Sequence, residues 1–217
     1  MDQVTWLATV KQHRAIAVIR APSIATGLAM AQAVVAGGFR FIEVTWTSDC
    51  PAECLHQMRT ALPSSCWVGA GTLLSKDALN DAIAAGAQFC FSPHTDQALI
   101  AIAQRQGIPV IPGALTPTEI TLAWQSGASS VKVFPCQALG GPAYIRHLQG
   151  PLGHIPLIPT GGITVEEGHN FIDAGAIAVG IASSLFPKNL VLTEDWHAIE
   201  KRAYAFTQHL NSAISRI

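Results

Sequence analysis

Short, nearly unbroken apolar runs alternate along this chain with longer segments in which apolar residues recur at helical spacing. The runs are Ala15 to Arg20, Phe41 to Thr45, Trp67 to Thr72, Phe89 to Ser92, Val110 to Pro112, Ser130 to Phe134, Leu157 to Thr160 and Ala178 to Gly180, so eight strands are predicted. Between them, stretches such as Ile24 to Ala36, Lys76 to Ala85, Asp96 to Gln106 and Pro117 to Gln125 are long enough for crossover helices. Gly37, Gly86, Gly107, Gly127 and Gly175 read as helix stops, because glycine takes the left-handed conformation without steric cost. Thr116-Pro117-Thr118-Glu119 and Thr164-Val165-Glu166-Glu167 read as capping boxes that start helices.

Alternating strand and helix implies a parallel sheet covered by helices, and apolar strands fit a sheet buried on both faces. A doubly wound open sheet is one solution. Eight units in a chain of 217 residues fit the closed (β/α)8 TIM barrel better, as a single domain over 1–217. An extra N-terminal helix (1–14, with its pattern from Asp2 to Gln12) precedes a barrel over 15–217.

Composition narrows the function. Charged residues make up 12 % of the chain, against about 25 % in an ordinary soluble domain, while 49 % are hydrophobic and the mean hydropathy is +0.33. The longest segments without Asp, Glu, Lys or Arg, Ala21 to Phe39 and His147 to Val165, are interrupted by glycine and proline and do not read as membrane spans. Met1-Asp2-Gln3 begins acidic, without the pattern of a signal peptide, and a cytoplasmic protein is expected. Cys50, Cys54, Cys66, Cys90 and Cys136 form no C-x-x-C pair and read as reduced, buried thiols. A net charge of −1 offers neither a basic stripe for nucleic acid nor a patch for lipid. Small-molecule chemistry is the remaining expectation.

Against so little charge, three residues stand out in apolar strands: Arg20 at the end of the first, Glu43 in the second and Lys132 in the sixth. Ile42, Val44, Val131 and Val133 share one parity and are expected to face the helices, which turns Glu43 and Lys132 inward. Arg20 takes the same parity if Ala17 and Ile19 face outward. All three lie toward the carboxyl ends of their strands, where barrel enzymes carry their sites. A buried ion pair is the structural alternative, but burying charge costs several kcal/mol per ion and seldom adds net stability. A desolvated lysine can lose its proton and attack a carbonyl as a free amine, forming a Schiff base. Glu43 is then the candidate proton shuttle.

Thr160-Gly161-Gly162 after the seventh strand and Gly180-Ile181-Ala182-Ser183 after the eighth sit where barrels frequently bind phosphate. Glycines admit an anion to backbone N–H groups, Ser183 adds a hydroxyl, and Ser183-Ser184-Leu185 is a candidate helix start. Gly69-Ala70-Gly71-Thr72 makes room inside, with Thr72 a possible donor to a carboxylate, or is simply a tight turn. Phe134 can wall the pocket or belong to the core. No H-x-H, H-E-x-x-H, P-loop or dinucleotide fingerprint is present, so neither metal nor cofactor is expected. Of the histidines only His94 is placed to reach the rim.

Taken together, Ala17-Val18-Ile19-Arg20-Ala21, Ile42-Glu43-Val44-Thr45, Gly69-Ala70-Gly71-Thr72, Ser92-Pro93-His94, Thr116-Pro117-Thr118-Glu119, Lys132-Val133-Phe134-Pro135 and Pro159-Thr160-Gly161-Gly162-Ile163 resemble the 2-keto-3-deoxy-6-phosphogluconate (KDPG) aldolase family over nearly the whole length. The resemblance implies a metal-independent class I aldolase of (β/α)8 fold, typically a homotrimer, that cleaves KDPG to pyruvate and glyceraldehyde 3-phosphate. By it, Lys132 matches the Schiff-base lysine, Glu43 the general acid/base, Thr72 a pyruvate carboxylate ligand, and Pro93 and Phe134 pocket walls. Gly161, Gly162 and Ser183 match the phosphate site. The sequence departs at Thr47, where the best-known members carry an arginine, and at Ala182, where glycine is common. Arg20 resembles the replacement arginine of a branch that includes relatives acting on the galactonate epimer. Cleavage of 4-hydroxy-2-oxoglutarate is the rival activity within the family; a non-catalytic phosphate-binding barrel and a metal-dependent enzyme are the rivals outside it.

Overall fold

The computed structural model of the protein describes residues 3–212. Its elements in chain order are α1 (Gln3–His13), β1 (Ala15–Ile19), α2 (Ile24–Ala36), β2 (Phe41–Thr45), α3 (Pro51–Ala61), β3 (Trp67–Gly71), α4 (Lys76–Ala84), β4 (Cys90–Phe91), α5 (Gln97–Arg105), β5 (Val110–Ile111), β6 (Gly113–Ala114), α6 (Pro117–Gln125), β7 (Val131–Val133), α7 (Pro142–Leu152), β8 (Leu157–Pro159), α8 (Gly168–Asp173), β9 (Val179–Ile181), α9 (Lys188–Leu192) and α10 (Trp196–Ser212). Residues 1–2 of the expected N-terminal helix and 213–217 of the expected barrel lie outside the described residues. All strand pairs are parallel, in a six-stranded sheet of order β5-β4-β3-β2-β1-β9 and a three-stranded sheet of order β6-β7-β8.

The expected fifth strand, Val110 to Pro112, is instead split into β5 and β6. Pro112 lacks the N–H a ladder needs, but its carbonyl still accepts the Lys132 N–H at 2.9 Å, while Val110 O accepts Ser129 N–H at 2.9 Å. At the other seam Ile177 N–H donates to Leu157 O at 3.0 Å, and Thr160 bridges Gly180 in parallel.

Strand alternation sorts the core into two layers. Ala17, Ile19, Ile42, Val44, Val131 and Val133 pack in the larger cluster between sheets and helices, as expected. Ile16, Phe41, Phe89, Phe91, Ile111 and Ile158 form the inner cluster, into which α1 inserts Trp6 and Val10. The Trp6 ring meets Phe41 at 5.5 Å edge-on and Phe89 at 5.3 Å, and its indole N–H donates to Ser130 Oγ at 3.1 Å. The amino ends of the strands are thereby filled, and the open space lies at the carboxyl ends.

Three local expectations need correction. Gly37 ends α2 at φ −75°, and Gly38, at +99°, takes the left-handed role. Gly37 answers a different demand: a Cβ there would overlap Ala203 of α10. Thr164 Oγ1 accepts the Glu167 N–H at 3.2 Å as a cap does, yet a turn follows and α8 starts only at Gly168. Cys50 is exposed, unlike the other four thiols, because it sits at the solvent-facing start of α3. The Thr116 to Glu119 capping box forms with both of its hydrogen bonds.

Removing the Trp6 ring leaves a void beneath the inner layer and orphans Ser130. Trp6→Ala is expected to lower stability by about 3–5 kcal/mol in denaturant unfolding, with Trp6→Phe losing less.

Candidate active site

The carboxyl ends of the strands surround a cavity of about 190 Å3, and all ten residues singled out from the sequence line it: Arg20, Glu43, Thr72, Pro93, Lys132, Phe134, Thr160, Gly161, Gly162 and Ser183. They arrive from seven separate chain segments. Glu43 and Lys132 are inward-facing residues of β2 and β7, 2 % and 5 % exposed. Their Cα partners on neighbouring strands are Val18 and Gly69 for Glu43, and Gly113 and Ile158 for Lys132.

Glycine on β3 is what makes Glu43 possible. A Cβ at Gly71 would overlap the Glu43 carboxylate, and one at Gly69 would overlap the Phe89 ring. The carboxyl group so accommodated is poorly solvated, and its Oε1 is buried without a hydrogen-bond partner. Burial pushes its pKa above the usual carboxylate value of 4.5, and the nearby Lys132 charge only partly opposes this. The two side chains are beyond ion-pair distance; among the described residues the ion pair is His197 with Glu200. A tight buried salt bridge is therefore not their role. Lys132 Nζ lies 5.0 Å from the Phe134 ring centre and 5.6 Å from that of Phe91, so aromatic faces line its approach and favour a cation there. The Lys132 amine and a carboxyl group whose pKa burial raises thus line one cavity.

The loops after β8 and β9 line the rest of the cavity. Gly161 and Gly162 have φ of +94° and +80°, and side chains on them would press on Phe134 and on Gln137. Ser183 sits in a turn, in which Leu185 N–H donates to Ala182 O at 2.9 Å, and not at the start of a helix as expected. The next helix, α9, has five residues and begins at Lys188, so Ser183 can offer its hydroxyl and local backbone but no helix dipole.

Thr72 has φ +59°, a conformation that a β-branched residue rarely adopts and that is found where a site over-determines the backbone. Arg20 is exposed at the cavity mouth. Thr47 does not reach the cavity; its hydroxyl donates to Thr45 Oγ1 at 3.3 Å. His94 is exposed and outside the lining, beside Pro93. Sequence reading overlooked Thr45, 3 % exposed and lining the cavity, although it stands two residues from Glu43 on the same strand face. Val18, Ile163 and Ala182 also line it.

The sequence profile of the family described as "KDPG and KHG aldolase" matches residues 7–202. The chain belongs to that family. It is thus an aldolase, a carbon–carbon lyase. The 2-dehydro-3-deoxy-phosphogluconate aldolase of Dickeya dadantii is 34% identical over 170 residues, 78% of this chain and 79% of that protein. The KHG/KDPG aldolase of Escherichia coli is 33% identical over 174 residues, 80% and 81% of the two chains. Among solved structures, one described as native KDPGal superposes with a TM-score of 0.85 at 29% identity, covering 93% of this aldolase and 96% of its own chain. A KDPG aldolase from Legionella pneumophila, with pyruvate captured as a covalent carbinolamine, gives 0.85 at 27% identity over 92% and 97%. A thiamine phosphate pyrophosphorylase from Pyrococcus furiosus, at 14% identity and a TM-score of 0.70, shares the fold alone.

Two outcomes follow for the aldolase. Gly71→Ala is expected to fold but to displace the Glu43 carboxylate, cutting kcat with a much smaller change in Tm. The Glu43 carboxyl holds its proton to higher pH in the folded than in the unfolded state, so folding is disfavoured as pH rises above 4.5 and through the raised value. Glu43→Gln is therefore expected to be more stable than the parent at pH 8, with the difference in Tm closing toward pH 4.

Proposed function

We propose that the protein is a class I aldolase that cleaves KDPG to pyruvate and glyceraldehyde 3-phosphate through an imine on Lys132, with 4-hydroxy-2-oxoglutarate and the 6-phosphogalactonate epimer as alternative substrates. The observation that carries this reading is Lys132 on the cavity floor, 5 % exposed, sharing the space with the Glu43 carboxyl group, whose pKa burial raises. The captured carbinolamine of the Legionella pneumophila relative supports it. The Lys132 amine adds to the keto carbon, Glu43 supplies a proton to the departing water, and the protonated imine becomes the electron sink. Glu43 then takes the proton of the C4 hydroxyl, the C3–C4 bond breaks, and its electrons pass to the imine as an enamine. Release of the aldehyde, protonation of the enamine carbon and hydrolysis give pyruvate and restore the amine.

Thr72 and Arg20 are the proposed carboxylate contacts, Pro93 and Phe134 the walls, and Thr160, Gly161, Gly162 and Ser183 the phosphate side. The hydrogen bonds at both sheet seams support closure of the strands as one (β/α)8 barrel in a single domain, β5 and β6 counting as one strand broken at Pro112. The family resemblance extends the reading to a cytoplasmic homotrimer needing neither metal nor cofactor, and sedimentation velocity tests the assembly.

Treatment with pyruvate and borohydride is expected to leave one reduced pyruvyl adduct, which Lys132→Ala abolishes; an adduct that survives that substitution overturns the imine. Glu43→Gln is expected to lower kcat by about 10²–10⁴-fold. Comparison of kcat/KM for the gluconate and galactonate epimers and for 4-hydroxy-2-oxoglutarate ranks the substrates.

A further inference from the structure

Two chain segments of the cavity lining, Gly161 to Ile163 after β8 and Ala182 to Ser183 after β9, are riveted together by a single residue. Ser184 accepts the Val165 N–H on its hydroxyl oxygen at 3.0 Å. Its carbonyl accepts two donors of Arg202, Nε at 3.2 Å and Nη2 at 2.7 Å. Ser184 adjoins Ser183 in the chain, and Val165 lies three residues beyond Gly162, so both loops are tied to one residue and that residue to α10.

The anchor is a firm one. Ala203, next to Arg202, fills the space over Gly37, and Phe206, one turn on, packs over Gly168; both are fully buried. Arg202 is half-buried, and among the described residues no carboxylate stands within ion-pair distance of it. A guanidinium does not lose its proton in a protein, so a full positive charge, not cancelled by an ion-pair partner, stands directly behind the Ser183–Ser184 turn.

We propose that Arg202 is a positioning residue for the phosphate end of the substrate, and that preference for phosphorylated over unphosphorylated 2-keto acids depends on it. This rests on the reading that the Gly161–Gly162 and Ser183 loops take a phosphate. Arg202 does not line the cavity. It holds the Ser184 peptide with two donors, which fixes the spacing between the loops, and it biases the local field toward an anion.

The test compares KDPG with 4-hydroxy-2-oxoglutarate, which shares the pyruvyl half and lacks phosphate, alongside deuterium exchange at the methyl group of pyruvate. Arg202→Met is expected to raise KM for KDPG about tenfold, the loss typical of a charge-assisted hydrogen bond, with kcat preserved. Exchange into pyruvate and turnover of 4-hydroxy-2-oxoglutarate stay as in the parent, and competitive inhibition by inorganic phosphate weakens in step with KM. Arg202→Lys, which keeps the charge and one donor, recovers part of the loss and carries the same test if the methionine variant fails to fold. Equal losses on both substrates and in exchange, or an unchanged KM for KDPG, overturn the proposal. Absence of a pyruvate adduct in the parent protein would instead overturn the imine, and absence of any preference for KDPG in the parent overturns the phosphate reading on which Arg202 depends.

Discussion

Space on the inner face of the strands is the constraint from which the rest of this structure follows. At the amino ends it is filled by Trp6, Phe41, Phe89 and Phe91, while further along the strands glycines give room to neighbouring groups, several of which line the cavity. Gly69 yields to Phe89, Gly71 to the Glu43 carboxylate, Gly113 to the Pro93 backbone and Gly180 to Thr160. Parallel strands bring every carboxyl end to the same side, so the residues those glycines accommodate, Glu43, Pro93 and Thr160, come together around one cavity, with the aromatic layer as its base.

That arrangement sets the electrostatics as well. A carboxyl group with a buried, unbonded oxygen and an amine facing two phenyl rings are each costly to place in a dry interior. Without a direct ion pair they do not cancel one another, and both remain available to a ligand. The strained Thr72 backbone and the positive φ at Gly161 and Gly162 lie around the same space. Strain, poorly satisfied charge and missing side chains coincide where a ligand would supply the missing contacts.

Much of this was legible in the sequence because the period of two along a strand is a local property. Ile42 and Val44 against Glu43, and Val131 and Val133 against Lys132, declare which side chains turn inward without any knowledge of the neighbours. The rule also reaches Thr45, which was passed over because a threonine in a strand is unremarkable by composition. Less was legible wherever the answer depended on an approach between distant segments. Gly37 serves a contact with α10 and not a helix stop; Ser183 lies in a turn although Ser-Ser-Leu reads as a helix start; and Pro112 breaks a ladder that its apolar neighbours would continue.

The sequence by itself determined the alternation of strands and helices, the inward parity of Glu43 and Lys132, and the family to which its motifs are similar, since all of these are written in local spacing along the chain. Only the tertiary structure decided that Glu43 and Lys132 stand apart without pairing, that Thr47 turns to Thr45 while Arg20 reaches the cavity mouth, and that Arg202, far along the chain, braces Ser184. Those depend on distances between segments that spacing along the chain does not encode, and on which donors remain free once the backbone has paired.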